Sequence, residues 1–163
     1  MDEIIDEDNI NNPLNQFLLF LVGGDLYAIE ALKTSEIVEY NQITKVPMVT
    51  SCVKGVTNIR GNIVPTIDLL DRFGLGETPI NRKTSIVVIN HEHQNTKMQL
   101  GVIIDEVFEV DDIDTDNIKE APEFGSKIDK KFIQKMGKYN GEYMAILNIK
   151  SILNITELST IAY

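Results

Sequence analysis

The side chains that could do chemistry in this 163-residue chain are few, and they lie far apart. The single cysteine, Cys52, lies in a short apolar segment, whereas both histidines, His91 and His93, occur in one distant stretch. A cysteine nucleophile needs a neighbouring base such as histidine to form the reactive thiolate. The pattern therefore favours a buried, unreactive thiol over a catalytic one.

Two patterns resemble parts of metal sites. His91 and His93 point the same way if their segment is extended, but two ligands make a weak site without a third. Three aspartates alternate with other residues in Asp112–Asp116, and Glu123 occupies the twelfth place, a spacing that mimics a calcium-binding loop. Pro122, however, stands where the exiting helix would begin, and Val107–Val110 reads as a strand. We interpret this segment as an acidic turn and expect no cofactor; a calcium- or metal-responsive protein is the less favoured alternative.

The charge distribution bears on the class of partner and on the compartment. The formal net charge is −10, and residues 1–14 carry five acids and no base. Nucleic acids and anionic membranes attract basic surfaces, so both are disfavoured as partners. The acidic beginning is unlike a secretory signal, no apolar run approaches the ~20 residues of a membrane span, and a lone cysteine cannot form an internal disulfide. We predict a cytoplasmic protein with a disordered acidic leader (1–14), one folded domain (15–158) and a short tail (159–163).

The most informative stretch is Lys54–Gly74, which predicts a strand, a tight turn, a second strand and a short helix. Gly61 suits the turn because glycine adopts positive φ without steric cost. Asp68 is placed to cap the helix, and Gly74 suits the position just past its end. Arg60 lies at the edge of the turn with no opposite charge beside it in sequence.

Other segments predict more strands and an internal repeat. Apolar runs separated by turn signals predict hairpins around Gly23-Gly24 and Asn140-Gly141, and a hairpin whose connecting loop contains His91–Thr96. Shifted by 80 positions, Arg60-Gly61 falls on Asn140-Gly141 and Asp68 falls on Asn148; a weaker match at a shift of 73 sets Glu36 against Glu109. We predict an all-β fold with a few short helices, built as two small packed barrels that need each other's core.

The motif Gly55–Gly61 with Val64–Leu69 resembles the signature of CheW-type chemotaxis coupling proteins. The similarity continues through Tyr27–Ile37, Gly101–Asp105 and Ala121–Phe124, and it covers nearly the whole chain. The resemblance implies two five-stranded, SH3-like barrels. It also implies a non-enzymatic adaptor that couples the cytoplasmic tips of chemoreceptors (methyl-accepting chemotaxis proteins) to the histidine kinase CheA and helps assemble signalling arrays. A coupler of a non-flagellar, pilus-type pathway is the alternative.

The resemblance also implies which residues bind partners. They are the positions that match the contact surface of the family: Arg60, Glu36, Lys54, Gly55, Thr34 and Ile37. Thr34 departs from the aliphatic residue that is common there. Asp68 matches the motif too, with an architectural role as a helix cap.

Overall fold

The computed structural model describes residues 16–45, 47, 50–123 and 125–159. The predicted leader and most of the predicted tail lie outside these residues. Within them the chain forms the strands β1 (Gln16–Val22), β2 (Asp25–Glu30), β3 (Thr34–Glu39), β4 (Val53–Ile59), β5 (Asn62–Asp68), β6 (Ser85–His93), β7 (Thr96–Ile104), β8 (Glu106–Asp112), β9 (Ile118–Lys119), β10 (Ile133–Tyr139) and β11 (Glu142–Leu147). The helices are α1 (Leu69–Arg72), α2 (Ile149–Ile152) and α3 (Ile155–Leu158), with 3₁₀ turns at Ala31–Lys33, Thr115–Asn117 and Lys130–Phe132.

The strands form two sheets, which confirms the predicted mostly-β, two-barrel fold. Sheet A has the order β8-β1-β2-β11-β10-β9, and sheet B has the order β3-β6-β7-β5-β4. Sheet A gains a sixth strand beyond the five predicted, because the two residues of β9 pair with Met136 and Gly137 of β10.

The two sheets are related by the sequence repeat, but each takes strands from both copies. Strands β3, β6, β7, β5 and β4 of sheet B correspond in order to β8, β1, β2, β11 and β10 of sheet A. The parallel pairing of β5 with β7 likewise matches that of β11 with β2. The first hairpin of each repeat has thus been exchanged into the sheet of the other, so neither half of the sequence holds a complete barrel.

Each sheet is closed toward a barrel by contacts between strands at or next to its two edges. In sheet B, Thr44, which follows β3, exchanges two backbone hydrogen bonds of 2.9 Å with Val56 of β4. In sheet A, the hydroxyl of Tyr139 on β10 donates to the carboxylates of Glu109 and Asp111 on β8.

Most of the apolar core lies between the barrels. The smaller clusters are the barrel interiors: Phe17, Leu19, Ala28, Ile113, Met144 and Ile146 in sheet A, and Ile59, Val64, Ile86, Val88 and Ile103 in sheet B. The largest cluster joins both sheets and all three helices. The sequence of β1 is almost continuously apolar because both faces of the strand are buried. Phe17 and Leu19 face the interior of one barrel, and Leu18 and Phe20 face the core shared by the two barrels.

A half-buried arginine, Arg72, ties the helices of the two repeats together. Arg72 of α1 donates from Nε to the carbonyl of Ile152 (2.8 Å) and from Nη2 to the carbonyl of Ser151 (2.9 Å). Its Nη2 also forms an ion pair with Glu157 of α3 at 2.7 Å. A cation near the last carbonyls of a helix is favourable, because these groups carry the negative end of the helix dipole.

Among the described residues, no helix is long and apolar enough to cross a membrane.

Candidate partner-binding surface

The turn between β4 and β5 holds Arg60 in an unusual backbone conformation. Arg60 has φ +53° and Gly61 has φ +86°, values typical of a type I′ hairpin turn. The side-chain oxygen of Asn58 accepts a hydrogen bond from the Gly61 N–H at 2.9 Å, which helps to fix the turn. Asparagine, aspartate and glycine are the usual residues at the position of Arg60, because an ordinary side chain is strained there.

Arg60, in the turn after β4, forms an ion pair with Glu36 of β3 at the open end of the barrel that sheet B forms. Its Nε lies 3.0 Å from Oε2 of Glu36 on β3, although the two residues are distant in sequence. The Arg60 side chain is 82% exposed and that of Glu36 only 20%. An exposed ion pair of this kind adds little to stability, so the arrangement chiefly sets where the guanidinium group lies.

Strand β3 presents its residues alternately to the barrel and to solvent. Thr34, Glu36 and Val38 are half-buried, whereas Ile37 is 39% exposed. Ile63, two residues after the turn glycine, is 65% exposed. The sequence predicts a strand at Ile63 but not that its side chain faces solvent. Val64 could have shown this: if Val64 faces the barrel interior, the adjacent Ile63 must face the opposite side. We call Glu36, Ile37, Arg60 and Ile63 the rim of sheet B.

Two oxygens at this rim retain hydrogen-bonding capacity. Oε1 of Glu36 and Oγ1 of Thr34 are buried, and no group in the described part of the chain bonds to either. A bulge separates the two residues: Thr34 is in register with Ile89 and Glu36 with Val88, so their side chains lie on opposite faces of β3, and each oxygen could accept its own hydrogen bond.

Lys54 and Gly55 lie away from the rim, near the other end of β4. Lys54 forms an ion pair of 2.9 Å with Asp71 of α1 and lies 3.7 Å from Glu77. Six residues of extended strand separate Lys54 from Arg60, which is roughly 20 Å. Gly55 is buried, and a Cβ there would lie 2.1 Å from the carbonyl oxygen of Thr44. The structure thus brings Thr34, Glu36, Ile37 and Arg60 together and leaves Lys54 and Gly55 apart from them.

The charge of Lys54 is stabilised internally. Partial burial by itself would lower the pKa of Lys54, but the hydrogen bond to Asp71 and the charges of Asp71, Glu77 and Asp68 raise it overall. Lys54 therefore stays protonated and holds α1 against the start of β4.

Sheet A carries an equivalent surface that the sequence did not indicate. Val110 and Tyr143, the repeat partners of Ile37 and Ile63, are exposed, as is Phe108. Phe108 packs edge-on against Tyr139, with 6.4 Å between ring centroids. Together with Met136 these aromatic residues line an open groove of about 750 Å³. We call Phe108, Val110, Tyr139 and Tyr143 the rim of sheet A. Applying the repeat to Ile37 and Ile63 would have found it.

The other candidate sites gain no support. Cys52 is buried. The histidines do not lie in a loop as predicted: β6 continues to His93, and the turn is only Gln94-Asn95. Asp112 ends β8, and Asp114 caps a 3₁₀ turn by accepting a hydrogen bond from the Asp116 N–H. Within the described residues, no three His, Cys, Asp or Glu side chains are grouped so that they could hold a metal ion.

Comparisons with known proteins agree with this architecture. The profile of the CheW-like domain matches residues 16–157. The chain is 34% identical over 143 residues to the chemotaxis protein CheW of Helicobacter pylori, covering 88% of this chain and 84% of that protein. It is 30% identical over 146 residues to CheW of Klebsiella aerogenes, covering 90% of this chain and 86% of that protein.

A solved structure shares the fold. The crystal structure of the scaffolding protein TtCheW from Thermoanaerobacter tengcongensis superposes with a TM-score of 0.73 at 29% identity, over 83% of this chain and 84% of that one. Protein PilI of Pseudomonas aeruginosa matches less of the chain, at 29% identity over 101 residues, which is 62% of this chain and 54% of that protein. This chain belongs to the CheW-like family, and it is a chemotaxis adaptor rather than an enzyme.

Proposed function

We propose that this adaptor links the cytoplasmic tip of a chemoreceptor to the histidine kinase CheA in the cytoplasm, and that the rim of sheet B binds the receptor. The observation that carries this proposal is the conformation of Arg60. A residue held at φ +53° costs roughly 1–2 kcal/mol, and its exposed ion pair returns less than that. Strain that stability does not explain is typical of functional positions.

The chemistry of this rim suits a protein helix. Ile37 and Ile63 offer apolar area, while Arg60 and Glu36 fix the orientation of a partner through charge. The spare oxygen of Glu36 would accept a hydrogen bond from a donor on the partner once the carboxylate turns toward it, which adds specificity. Lys54 and Gly55 would contribute only through the fold, because Lys54 holds α1 and Gly55 lets the chain around Thr44 pack on β4, both away from the rim.

The rim of sheet A would bind the kinase. Its exposed Phe108, Val110 and Tyr143 have the aromatic and aliphatic character of an interface core. The kinase domain implied by the family resemblance has similar barrels, so the contact would be barrel end to barrel end. Two rims joined by one shared core would keep the receptor and the kinase at a fixed spacing. An adaptor needs only modest affinity, so contacts near micromolar Kd, about −8 kcal/mol, would suffice.

The test is to measure each partner separately by isothermal titration calorimetry. Arg60→Glu should weaken binding of a receptor cytoplasmic fragment and leave kinase binding unchanged, because it reverses a charge on one rim only. Phe108→Ala should do the opposite. Both variants remove exposed side chains and should keep the wild-type melting temperature. Equal loss of both partners in both variants, or no loss in either, would refute the assignment of the two rims.

A coupler of a pilus-type pathway is the second candidate. It would use the same two rims, and it would differ only in which receptor and which kinase bind. The partial match to PilI supports it less than the near-complete matches to CheW proteins support chemotaxis. Titration against receptors of each pathway separates the two.

A further inference from the structure

The tip of the β6–β7 hairpin projects beyond the rest of sheet B. Strand β3 begins at Thr34, opposite Ile89 of β6, and the pairing of β5 with β7 begins at Gly101. Residues 90–99 therefore form a two-stranded ribbon whose outer edges pair with no other strand of the described chain. Side chains on such a ribbon can adjust their positions more freely than those inside the sheet, because fewer neighbours surround them.

Both histidines and a methionine lie on one face of this ribbon. The residues of β6 alternate between faces, and Ile89 faces the shared core, so His91 and His93 lie on that face too. On β7, Met98 packs against the same core and is directly opposite His91. All three side chains are half-buried. The ribbon thus carries two imidazoles and one thioether on a single face.

The spacing of these side chains suits one metal ion. Directly opposite residues on paired strands have Cβ atoms roughly 5 Å apart, which applies to His91 and Met98. His91 and His93 are two strand residues apart, which is roughly 7 Å. His93 and Met98 are diagonal neighbours at roughly 7–8 Å, still within reach of long side chains. Two ring nitrogens and the sulfur can therefore converge on one ion.

The three side chains are accessible from solvent. His91 and Met98 line an open pocket of about 490 Å³, which gives an ion a route to them. Glu92 and Lys97 line the same pocket and are directly opposite each other, so their charges largely offset. The pocket itself therefore neither attracts nor repels a cation strongly.

The charges that act on His91 favour a monovalent ion. Burial, followed by nearby positive charges of which that of His93 is the largest, lowers the pKa of His91. The ring is therefore neutral near pH 7, the state in which imidazole binds a metal. The other charges are those of Lys33 and Lys150. They oppose a divalent ion about twice as strongly as a monovalent one.

The thioether decides which metal fits. The described His, Cys, Asp and Glu side chains supply no third ligand to the histidines, which leaves the sulfur of Met98. Structural zinc sites are tetrahedral and calcium takes oxygen ligands, whereas imidazole and thioether are both ligands of copper. We propose that His91, His93 and Met98 bind one copper(I) ion at the tip of the β6–β7 hairpin. The bound ion ties β6 to β7 beside the start of β3, and this site does not depend on the proposed adaptor function.

The first experiment uses silver(I) as the probe, because it shares the charge and the ligand preference of copper(I) and is stable in air. It is titrated into the full-length chain in chloride-free buffer, while methionine methyl and histidine ring signals are followed by NMR. We expect the signals of Met98, His91 and His93 to shift together and to saturate at one ion per chain. Those of Met136 and Met144 should not move. Saturable binding that leaves the Met98 signal in place would overturn the proposal.

Variants then identify the ligands in an anaerobic competition between the chain and a copper(I) chelator. Met98→Leu keeps the volume of the side chain but removes the sulfur, so it should weaken copper(I) binding by about tenfold or more. His93→Gln should do the same. Met136→Leu is the matched control for loss of a half-buried methionine, and Cys52→Ala is the control for binding to the thiol. Both should bind copper(I) as the wild type does, and melting temperatures verify the fold of every variant.

Zinc(II) tests the selectivity of the site, because zinc binds imidazole but does not take methionine as a usual ligand. It should bind more weakly than copper(I) by about tenfold or more and leave the Met98 signal in place. Full copper(I) affinity in Met98→Leu, loss of binding in Cys52→Ala, or zinc(II) bound as tightly as copper(I) would each overturn the proposal.

Discussion

At the scale of single residues, the two turns related by the repeat make a natural comparison. Arg60 and Asn140 occupy the same position of the same type of turn, with φ +53° and +50°. Asparagine adopts this conformation at little cost and arginine only with strain, yet the arginine turn is the one whose side chain reaches an acid, Glu36 of β3. The comparison shows that the turn itself does not require arginine, so the arginine at position 60 serves the rim of sheet B.

The first prediction concerns Arg60→Asn. Relief of backbone strain should offset loss of the ion pair, so the free energy of unfolding should be unchanged or higher, within about 1 kcal/mol. Binding of the receptor fragment should nevertheless weaken. Denaturant unfolding and calorimetric titration measure the two effects. Asn140→Arg is the control and should lower stability by about 1 kcal/mol. Wild-type receptor affinity in Arg60→Asn would contradict the role of the guanidinium group.

The second prediction concerns the cap at Asp68. The buried carboxylate accepts hydrogen bonds from the N–H of Leu70 (3.1 Å) and from both the N–H (2.8 Å) and the hydroxyl (2.6 Å) of Thr78. Asp68→Ala should therefore cost about 3 kcal/mol, more than a lost cap alone, because buried donors stay unpaired. Asn148→Ala, at the equivalent cap with one bond to the Ser151 N–H, should cost only about 1 kcal/mol. Equal losses in denaturant melts would show that the Thr78 bonds add nothing.

At the scale of elements, the sequence predicted what depends on local signals. The hairpin at Asn140-Gly141 and the cap at Asp68 are confirmed, and Asn148, the repeat partner of Asp68, caps α2, because turn and cap residues act within a few positions. Which strands belong to which sheet could not be predicted from the sequence. The exchange of the first hairpins depends on pairing between residues that are far apart in sequence. Glu36 meets Arg60 for the same reason: only closure of sheet B brings β3 to that turn.

The third prediction tests that closure at Gly55. A Cβ there meets the Thr44 carbonyl at 2.1 Å and requires φ +146°, so Gly55→Ala must push the chain around Thr44 away from β4. We expect a loss of about 3 kcal/mol or more in unfolding free energy. Gly61→Ala is the matched control: its φ is +86° with open space around it, so only strain of about 1 kcal/mol applies. A Gly55→Ala variant as stable as Gly61→Ala would contradict the packing.

At the scale of the whole molecule, the shared core makes the two barrels one unit. The barrel interiors are small, and most buried apolar side chains, with the Arg72 bonds, lie where the sheets meet. The sequence predicted that each barrel would need the other, because so short a stretch cannot bury enough surface alone. The sequence did not predict the rim of sheet A, because the exposure of Phe108 and Tyr143 depends on how the sheet closes.

The fourth prediction follows for the shared core. Leu69 is fully buried there, so Leu69→Ala should cost about 2–5 kcal/mol and destabilise both barrels together. Hydrogen exchange of amides in β5 and in β11 should accelerate by the same factor. Faster exchange confined to one sheet would mean that the barrels unfold independently.

The most direct test of the account is whether the chain joins two partners at once. A receptor cytoplasmic fragment on beads is mixed with the kinase, with and without this protein, and bound kinase is measured. We predict that the kinase is retained only when the chain is present, and that either Arg60→Glu or Phe108→Ala abolishes retention. Retention that needs no adaptor, or that survives both substitutions together, would contradict the claim that two rims on one rigid core connect receptor and kinase.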